Sequence, residues 1–217
     1  MSQDIIKEKL KEYKKSKKED GSYLLPVYQE NKLIAYLHPI TFNYKVSLRG
    51  IVDALSDWRR KTPNAWASVF DVTHEGTEEW LEKYVLGNEK RIIFVIQDLD
   101  NHYIGQIGLA EFDYSEKSAE VDAVVRGRKD ILPGVMSAAL KTLVEWGKRE
   151  LKLERFFLNV FDDNVHAIEF YKKNNFIEKN RIALNEVKCG AGVRWEINEK
   201  IHPKQASRCY IRMELND

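Results

Sequence analysis

The chain has 217 residues, of which 43% are hydrophobic, so it can form one substantial globular domain with its own core. Its 35 basic and 34 acidic side chains leave a net charge of +1, which excludes a global field that attracts nucleic acid or an anionic membrane. Two cysteines, Cys189 and Cys209, are too few for a disulfide framework and lack the spacing of a zinc site, and the five histidines show no metal-binding spacing, so we predict a reducing compartment and no metal.

The N-terminal segment, residues 1–32, is rich in lysine. Ile6, Leu10 and Tyr13 recur in it at helical spacing, which leaves attachment to a membrane surface or a partner open. We favour a solvated helix or frayed tail, because glutamates are interspersed and the apolar stripe is short. Residues 33–217 are assigned to a single domain. The sequence shows neither an N-terminal apolar stretch of secretory length nor the roughly 20 apolar residues of a membrane span, so we expect a cytoplasmic protein without a span.

Two helices are predicted next along the chain. The first covers residues 51–60 and ends before Pro63, and its buried face is expected to comprise Ile51, Leu55 and Trp58. The second begins at a cap, Thr73 or Thr77, and stops before Gly87. Its buried face is expected to comprise Trp80, Leu81, Tyr84 and Val85.

The hydrophobic period then changes to that of strands. Residues 91–96 and 103–112 predict a hairpin around a turn rich in Asp and Asn, and a second turn leads to a strand at residues 119–125. Alternation puts Glu120 and Asp122 on one face of this strand. The other face is expected to comprise Val121, Ala123 and Val125.

The second half of the chain alternates helix and strand. The predicted elements are a long helix from Val135, a strand at residues 155–160, a helix capped by Asp163 or Asn164, a strand from Phe176, a polar hairpin or loop at residues 189–192 and a strand at residues 209–215. This order predicts an α/β (α+β) fold with a mixed, mostly antiparallel sheet flanked by helices. The connection between the two parallel strands is expected to contain the loop before Val135 and the helix that follows this loop.

That loop has the character of an anion site. A helix N-terminus presents unpaired N–H groups and a partial positive charge, and Gly134 permits the close approach of a phosphate. Pro133 suits the first helical turn, where its missing N–H costs little. Arg126, Arg128 and Lys129 add positive charge that suits a pyrophosphate or a 3′-phosphate. The loop has neither a Walker nor a dinucleotide-binding fingerprint, and an ordinary turn is the alternative.

Residues 159–176, NVFDDNVHAIEFYKKNNF, resemble the N-x-x-A-I-x-x-Y-x-x-x-x-F segment of the GCN5-related N-acetyltransferase (GNAT) superfamily. The upstream loop is similar to its Q/R-x-x-G-x-G/A acetyl-CoA loop: Gly134 agrees, whereas Ile131 replaces the Gln or Arg and Met136 replaces the small last residue. The patterns GVMSAALKTLVEW and DWRR look most like the branch that modifies amino sugars, polyamines or protein N-termini. The resemblance spans residues 33–215 and implies a V-shaped opening between the central parallel strands.

The resemblance implies direct transfer of an acetyl group from acetyl-CoA, as co-substrate, to a primary amine. Glu120 matches the position of a general base, and Tyr171 that of a general acid near the CoA sulfur. Asp122 would raise the pKa of its neighbour or hold the substrate ammonium, and Glu111 is a rival for either role. A packed aromatic residue at helical spacing is the alternative interpretation of Tyr171.

The residues that the resemblance implies for acetyl-CoA binding fall into three groups. They are Val124, Val125 and Arg126 on the strand, Arg128, Lys129, Pro133, Gly134, Val135 and Met136 at the loop and helix, and Asn164 and Ala167 at the following helix. The backbone of the strand would bind the pantetheine amides as an added strand would. Because Ile131 cannot make the expected side-chain contact, Arg126, Arg128 or Lys129 is expected to replace it. A plain helix cap is the alternative interpretation of Asn164.

The resemblance also implies a region that shapes the acceptor pocket. Trp58, Trp66, Arg59 and Arg60 lie in it, and we expect Trp58 to pack in the core while Arg59 or Arg60 is available to meet an anionic part of the acceptor. We favour a nucleotide-linked amino sugar as the acceptor amine. The alternatives are an acetyltransferase of protein N-termini or ribosomal proteins and a non-catalytic acyl-CoA-binding module, and a homodimer is left open.

Overall fold

The computed structural model of the protein describes residues 3–17, 21–190 and 192–216. Its helices are α1 (Gln3–Lys15), α2 (Tyr44–Ser47), α3 (Ile51–Lys61), α4 (His74–Trp80, followed directly by the π-helical Leu81–Leu86), α5 (Val135–Glu150) and α6 (Val165–Lys173). Its strands are β1 (Leu25–Gln29), β2 (Lys32–Pro39), β3 (Ser68–Val69), β4 (Arg91–Asp98), β5 (Tyr103–Asp113), β6 (Ser118–Arg126), β7 (Arg155–Phe161), β8 (Phe176–Cys189), β9 (Gly192–Ile197) and β10 (Arg208–Leu215).

These strands form one sheet in the order β1-β2-β4-β5-β6-β7-β10-β8-β9-β3. Neighbouring strands are antiparallel, except that β6 and β7 are parallel. The connection between these two strands contains the loop and α5, which is where the sequence places the parallel step. The predicted mixed, mostly antiparallel sheet is confirmed.

The sheet carries a hydrophobic core on each face, and β4 shows how the alternation of side chains divides them. Ile92 and Phe94 belong to the core that α1, α5 and α6 cover, whereas Ile93 and Val95 belong to the core that α2 and α3 cover. All four side chains are fully buried. Helices therefore pack on both faces, as predicted.

Helix α1 packs into the first of these cores. Ile6, Leu10 and Tyr13 are at most 5% exposed, and the indole N–H of Trp146 in α5 donates to the Tyr13 hydroxyl at 2.7 Å. The buried ammonium of Lys14 donates to three backbone carbonyls, those of Val85, Leu86 and Asn88. The expectation of a solvated helix or frayed tail is therefore wrong for α1, because a short apolar stripe suffices when a partner surface receives it.

The second predicted helix begins at Thr73, whose side chain accepts from the N–H of Gly76. Leu81 and Val85 are fully buried, as expected, but Tyr84 is 50% exposed. The π-helical continuation of α4 has more residues per turn than an α-helix, so the 3.6-residue spacing that assigns Tyr84 to the buried face does not apply.

The hairpin of β1 and β2 has no counterpart among the predicted elements. Leu25 and Val27 of β1 lie in the same core as α5. The predicted division of the chain into residues 1–32 and 33–217 falls at the start of β2, and it stays a prediction. Positions 1–2, 18–20 and 217 lie outside the described residues. Ala191, part of the predicted polar hairpin, lies outside them as well. Over the described ranges, none of the helices combines the length and apolar character of a membrane span.

Candidate active site

Strands β6 and β7 pair over a short stretch before they separate. The register matches Ser118 with Arg155, Ala119 with Phe156 and Glu120 with Phe157. In the described part of the chain no further pair joins the two strands, so the sheet opens directly after Glu120. This is the V-shaped opening that the resemblance implies.

A bulge turns β6 inside the opening. The register between β5 and β6 shifts between Gln106 and Gly108, and Ala123 has a φ of 54°. An extra residue reverses the alternation of a strand, so Val121 lies in the core with α5, whereas Ala123 and Val125 lie in the core with α3. The prediction that these three side chains share one face is therefore wrong.

The opening forms a cleft of about 410 Å³. The predicted site residues that line it are Glu120, Asp122, Val124, Val125, Asn164, Ala167 and Tyr171. The lining residues to which the sequence analysis gave no role include Arg91, Asn159, Val160, Phe161, Ile197 and Tyr210. Strands β6 and β10 and helix α6 thus bring together a carboxylate pair and two tyrosines.

Glu120 lies at the apex of the cleft. The side-chain amide of Asn159 in β7 donates to its Oε1 at 2.9 Å. Burial, followed by the negative charge of Asp122, raises the pKa of the Glu120 carboxyl to about 7, although the hydrogen bond from Asn159 acts in the opposite direction. The carboxyl can therefore exchange a proton near neutral pH, as a general base must.

Asp122 has a different electrostatic environment. Its Oδ2 lies 2.5 Å from Nη2 of Arg91, the first residue of β4, and both side chains are largely buried. The two carboxylates of β6 therefore have different partners. Asp122 pairs with the cationic Arg91, whereas Glu120 accepts from the neutral amide of Asn159.

Two tyrosines line the cleft opposite the carboxylates. Tyr171 packs edge-on against the rings of Phe170 and Phe176, and burial and the charges of Asp122 and Glu120 raise the pKa of its hydroxyl far above the ordinary value. Burial raises the pKa of Tyr210 to about 12. Tyr171 is thus both a packed aromatic residue and a protonated phenol at the cleft.

Asn164 caps α6. Its Oδ1 accepts from the backbone N–H of Ala167 at 3.3 Å, and both residues line the cleft. The plain helix cap is therefore present in the structure, and the cap lies where it can also contact a ligand.

The loop between β6 and α5 uses its own arginines internally. The Arg126 guanidinium donates to the carbonyls of Arg128 and Ile131, at 3.1 and 3.0 Å, and more weakly to that of Lys129. Arg128 pairs with Asp130. Within the described residues, Lys129 is the member of this basic trio whose side chain has no hydrogen-bond or ion-pair partner, and it is exposed.

Gly134 is the N-cap of α5 and has a φ of 83°, in the left-handed region that favours glycine. A Cβ at this position would lie 2.9 Å from Nε2 of Gln29, so β1 closes one side of the loop. Pro133 precedes the cap and does not occupy the first turn, which differs from the prediction. Val135 and Met136 are buried in the first turn of α5.

Trp58 and Arg59 lie behind the cleft wall. Trp58 is 6% exposed and packs against Gly127, where no Cβ would fit. The Arg59 guanidinium lies 4.6 Å from the ring centres of Trp66 and Phe70 and donates to the carbonyl of Ser68. The structure thus keeps Trp58 and Arg59 out of the cleft lining, although Trp66 belongs to it.

Glu111 lies outside the cleft as well, in a neighbouring depression with Asp113, Arg155 and Arg212. Its charge contributes to the raised pKa of Glu120, but less than burial and Asp122 do. An acceptor bound beside Glu120 would contact Glu111 only if it extended out of the cleft along this face of the sheet.

Asn159 and Arg91 are site residues that the sequence analysis missed. Asn159 belongs to the segment on which the resemblance rests, and the parallel step would have placed it beside Glu120. Arg91 is the first residue of the first strand in the predicted hairpin. It lies beside Asp122 only because β4 pairs with β5 and β5 pairs with β6 in this register.

The chain is similar to several known acetyltransferases. Spermidine N(1)-acetyltransferase of Vibrio cholerae is 25% identical over 105 residues, which are 48% of this chain. The match spans 60% of that relative's length. The crystal structure of spermidine N-acetyltransferase from Vibrio cholerae with CoA and spermine matches with a TM-score of 0.57 and 19% identity, over 77% of this chain and 90% of that one.

A second structure, spermidine/spermine N-acetyltransferase of Vibrio cholerae with manganese ions, matches with a TM-score of 0.52 and 18% identity over 77% of this chain and 87% of that one. At these identities, the two structures support the fold alone. The model of the acetyltransferase (GNAT) domain matches residues 47–177, which is more than half of the chain and contains Glu120, Gly134 and Tyr171. The chain therefore belongs to the acetyltransferase (GNAT) domain family.

Proposed function

We propose that the chain transfers the acetyl group of acetyl-CoA directly to the primary amine of a small acceptor. Membership of the GNAT family supports acetyl-CoA as the co-substrate and N-acetyl transfer as the reaction. The observation that carries the proposal is Glu120, which is buried where β6 and β7 separate and has a pKa raised to about 7. A cytoplasmic location and a homodimer stay predictions.

Glu120 and Tyr171 divide the proton transfers between them. The carboxylate of Glu120 removes a proton from the acceptor ammonium, and the free amine attacks the thioester carbonyl carbon. The C–S bond breaks, the departing thiolate takes a proton from the Tyr171 hydroxyl, and the proton that the attacking nitrogen loses as the neutral amide forms returns to the tyrosinate. Burial and the two nearby carboxylates keep that phenol protonated at neutral pH, so it is available as the acid.

Acetyl-CoA would bind along the open edge of β6 and across two helix N-termini. Past the bulge, the backbone of Val124, Val125 and Arg126 offers hydrogen bonds to the pantetheine arm. The N-terminal turn of α5 offers the backbone N–H groups of Gly134 and Met136 to the diphosphate, whereas the N–H of Val135 already donates to the carbonyl of Leu132. Because Arg126 and Arg128 have partners within the loop, we assign the side-chain contact with phosphate to Lys129.

A polyamine is the first acceptor class to test, because the relative and the matched structures carry spermidine or spermine in their names. The amino sugar favoured by the sequence has no support among these proteins. One observation keeps it as the second candidate: Asp122 has Arg91 as a cationic partner, and Arg59, beside Trp66 of the cleft wall, has no carboxylate partner among the described residues, so the acceptor side is not strongly acidic.

Thiol release from acetyl-CoA, measured with spermidine, spermine, a nucleotide-linked amino sugar and a peptide N-terminus, tests the proposal. We expect turnover with at least one small amine. Turnover with the peptide alone would replace the small acceptor by a protein N-terminus. Binding of acetyl-CoA without turnover on any amine would instead make the chain a non-catalytic acyl-CoA-binding module.

Glu120→Gln should lower kcat/KM by about 100-fold, because the amide cannot accept the ammonium proton. In the wild type, kcat/KM should rise with pH through an inflection at about 7, as the carboxyl loses its proton, and the variant should lack this inflection. The raised pKa means that wild-type stability falls as pH rises from about 4.5 to about 7, so the variant should be at least as stable at pH 8. An unchanged pH profile would exclude Glu120 as the base.

Tyr171→Phe should lower kcat by about 100-fold, because the ring still packs but the thiolate loses its proton donor. The Kd for acetyl-CoA, measured by calorimetry, should not change. Tyr84→Phe, at an exposed tyrosine, is the matched control and should retain full activity. Equal kcat in wild type and Tyr171→Phe would leave Tyr171 with packing alone.

Gly134→Asp should bind CoA about tenfold more weakly than Gly134→Asn, because a carboxylate at the N-terminus of α5 repels the diphosphate. Both variants carry the same backbone strain at φ 83° and the same crowding by Gln29, so their difference isolates the charge. Calorimetry at low and high salt should show a larger difference at low salt. Equal Kd values for the two variants would mean that the loop is an ordinary turn.

A further inference from the structure

Arg208, the first residue of β10, contacts four other segments of the chain. It is 8% exposed, and its Nη2 donates to the backbone carbonyl of Asn64 at 2.8 Å and to Oδ1 of Asp163 at 2.9 Å. The guanidinium also lies 3.5 Å from the ring centre of Phe161 and 5.1 Å from that of Trp195. The side chain therefore contacts β7, β9, the start of α6 and the connection between α3 and α4.

Each of these segments supplies part of the cleft wall. Ala65 and Trp66 follow Asn64, Asn164 follows Asp163, and Phe161 itself lines the cleft. Phe161 also stacks on Tyr210, a further lining residue, with ring centres 4.7 Å apart. Arg208 thus acts on the cleft through its neighbours.

The connection between α3 and α4, residues 62–73, depends on such contacts for its position. Its regular structure is limited to a 3₁₀ turn and the two residues of β3. Arginine side chains bind its carbonyls at regular intervals: Arg208 at Asn64, Arg59 at Ser68 and Arg60 at Val72. Two of these contacts adjoin the cleft lining: that of Arg208 at Asn64 precedes Ala65 and Trp66, and that of Arg59 at Ser68 follows Ala67.

Only an arginine can make all of these contacts at once. Its planar guanidinium donates in two directions while its face lies on an aromatic ring. A lysine at this position would keep the charge but could not stack on Phe161 and span Asn64 and Asp163 together.

We propose that Arg208 is a positioning residue that holds the wall formed by Ala65 and Trp66 at its distance from Glu120 and so sets the acceptor end of the cleft. The assignment rests on the proposed function, because it concerns the acceptor of that reaction. The open edge of β6 and the N-terminus of α5, which would hold the pantetheine arm and the diphosphate, do not contact Arg208; its contact nearest to the acetyl-CoA side is Asp163, which precedes the N-cap of α6.

Arg208→Lys should raise the KM for the acceptor about tenfold while kcat changes less than about twofold, because the displaced wall weakens acceptor binding more than the chemical step. The acceptor used is spermidine or the nucleotide-linked amino sugar, whichever the wild type acetylates. The Kd for acetyl-CoA should stay within about twofold of the wild-type value. Arg149→Lys, at an exposed pair with Glu150 on α5, is the control and should change none of these values.

Hydrogen exchange gives a readout that needs no turnover. Arg208→Lys should speed amide exchange in residues 62–67 by about tenfold or more, while exchange in α5 stays at the wild-type rate. If the wild type acetylates no amine but this exchange pattern appears, the proposed function fails and the positioning of the wall stands. Unchanged exchange and unchanged acceptor KM would overturn the role of Arg208, as would an equal loss of acetyl-CoA affinity.

Discussion

The separation of β6 from β7 after Glu120 is the constraint on which the site depends. Up to that residue, the two strands satisfy each other's backbone groups, and beyond it the bulge at Ala123 turns β6 away. The carboxylate at the last pair is therefore buried by two strands and yet faces an opening. A fully paired sheet would have no cleft at this point, and a sheet that opened earlier would leave Glu120 in solvent with an ordinary pKa.

Burial at this point also determines how charge is distributed around the reacting atoms. Glu120 receives a neutral hydrogen bond from Asn159, whereas Asp122 receives the full charge of Arg91. The negative charge of Asp122 also raises the pKa of both Glu120 and Tyr171. In the proposed mechanism, the charge of Asp122 would thus help to set both the base, Glu120, with a pKa of about 7, and the acid, Tyr171, which keeps its proton until the thiolate departs.

Helices and strands whose apolar residues recur at a regular spacing could be predicted from the sequence, but contacts between residues far apart in the chain could not. The apolar spacing predicted α3, α5, β4 and β5, and the resemblance placed Glu120 and Tyr171 in one site. The burial of α1 was missed because its partner, Trp146, lies 133 residues further along the chain. Arg91 was missed for the same reason, and the faces of β6 were wrong because a bulge leaves no mark in an alternating pattern.

The loop before α5 illustrates how a departure from a family motif can be compensated by rigidity. Ile131 replaces a side chain expected to contact phosphate, yet its backbone carbonyl accepts from Arg126, which braces the loop from within. Trp58 packs on Gly127 at one end, and Gln29 lies beside Gly134 at the other. A loop held in this way would lose little conformational entropy in the proposed binding of the CoA diphosphate to the N–H groups of α5. This rigidity would offset the loss of the side-chain contact with phosphate that Ile131 cannot make.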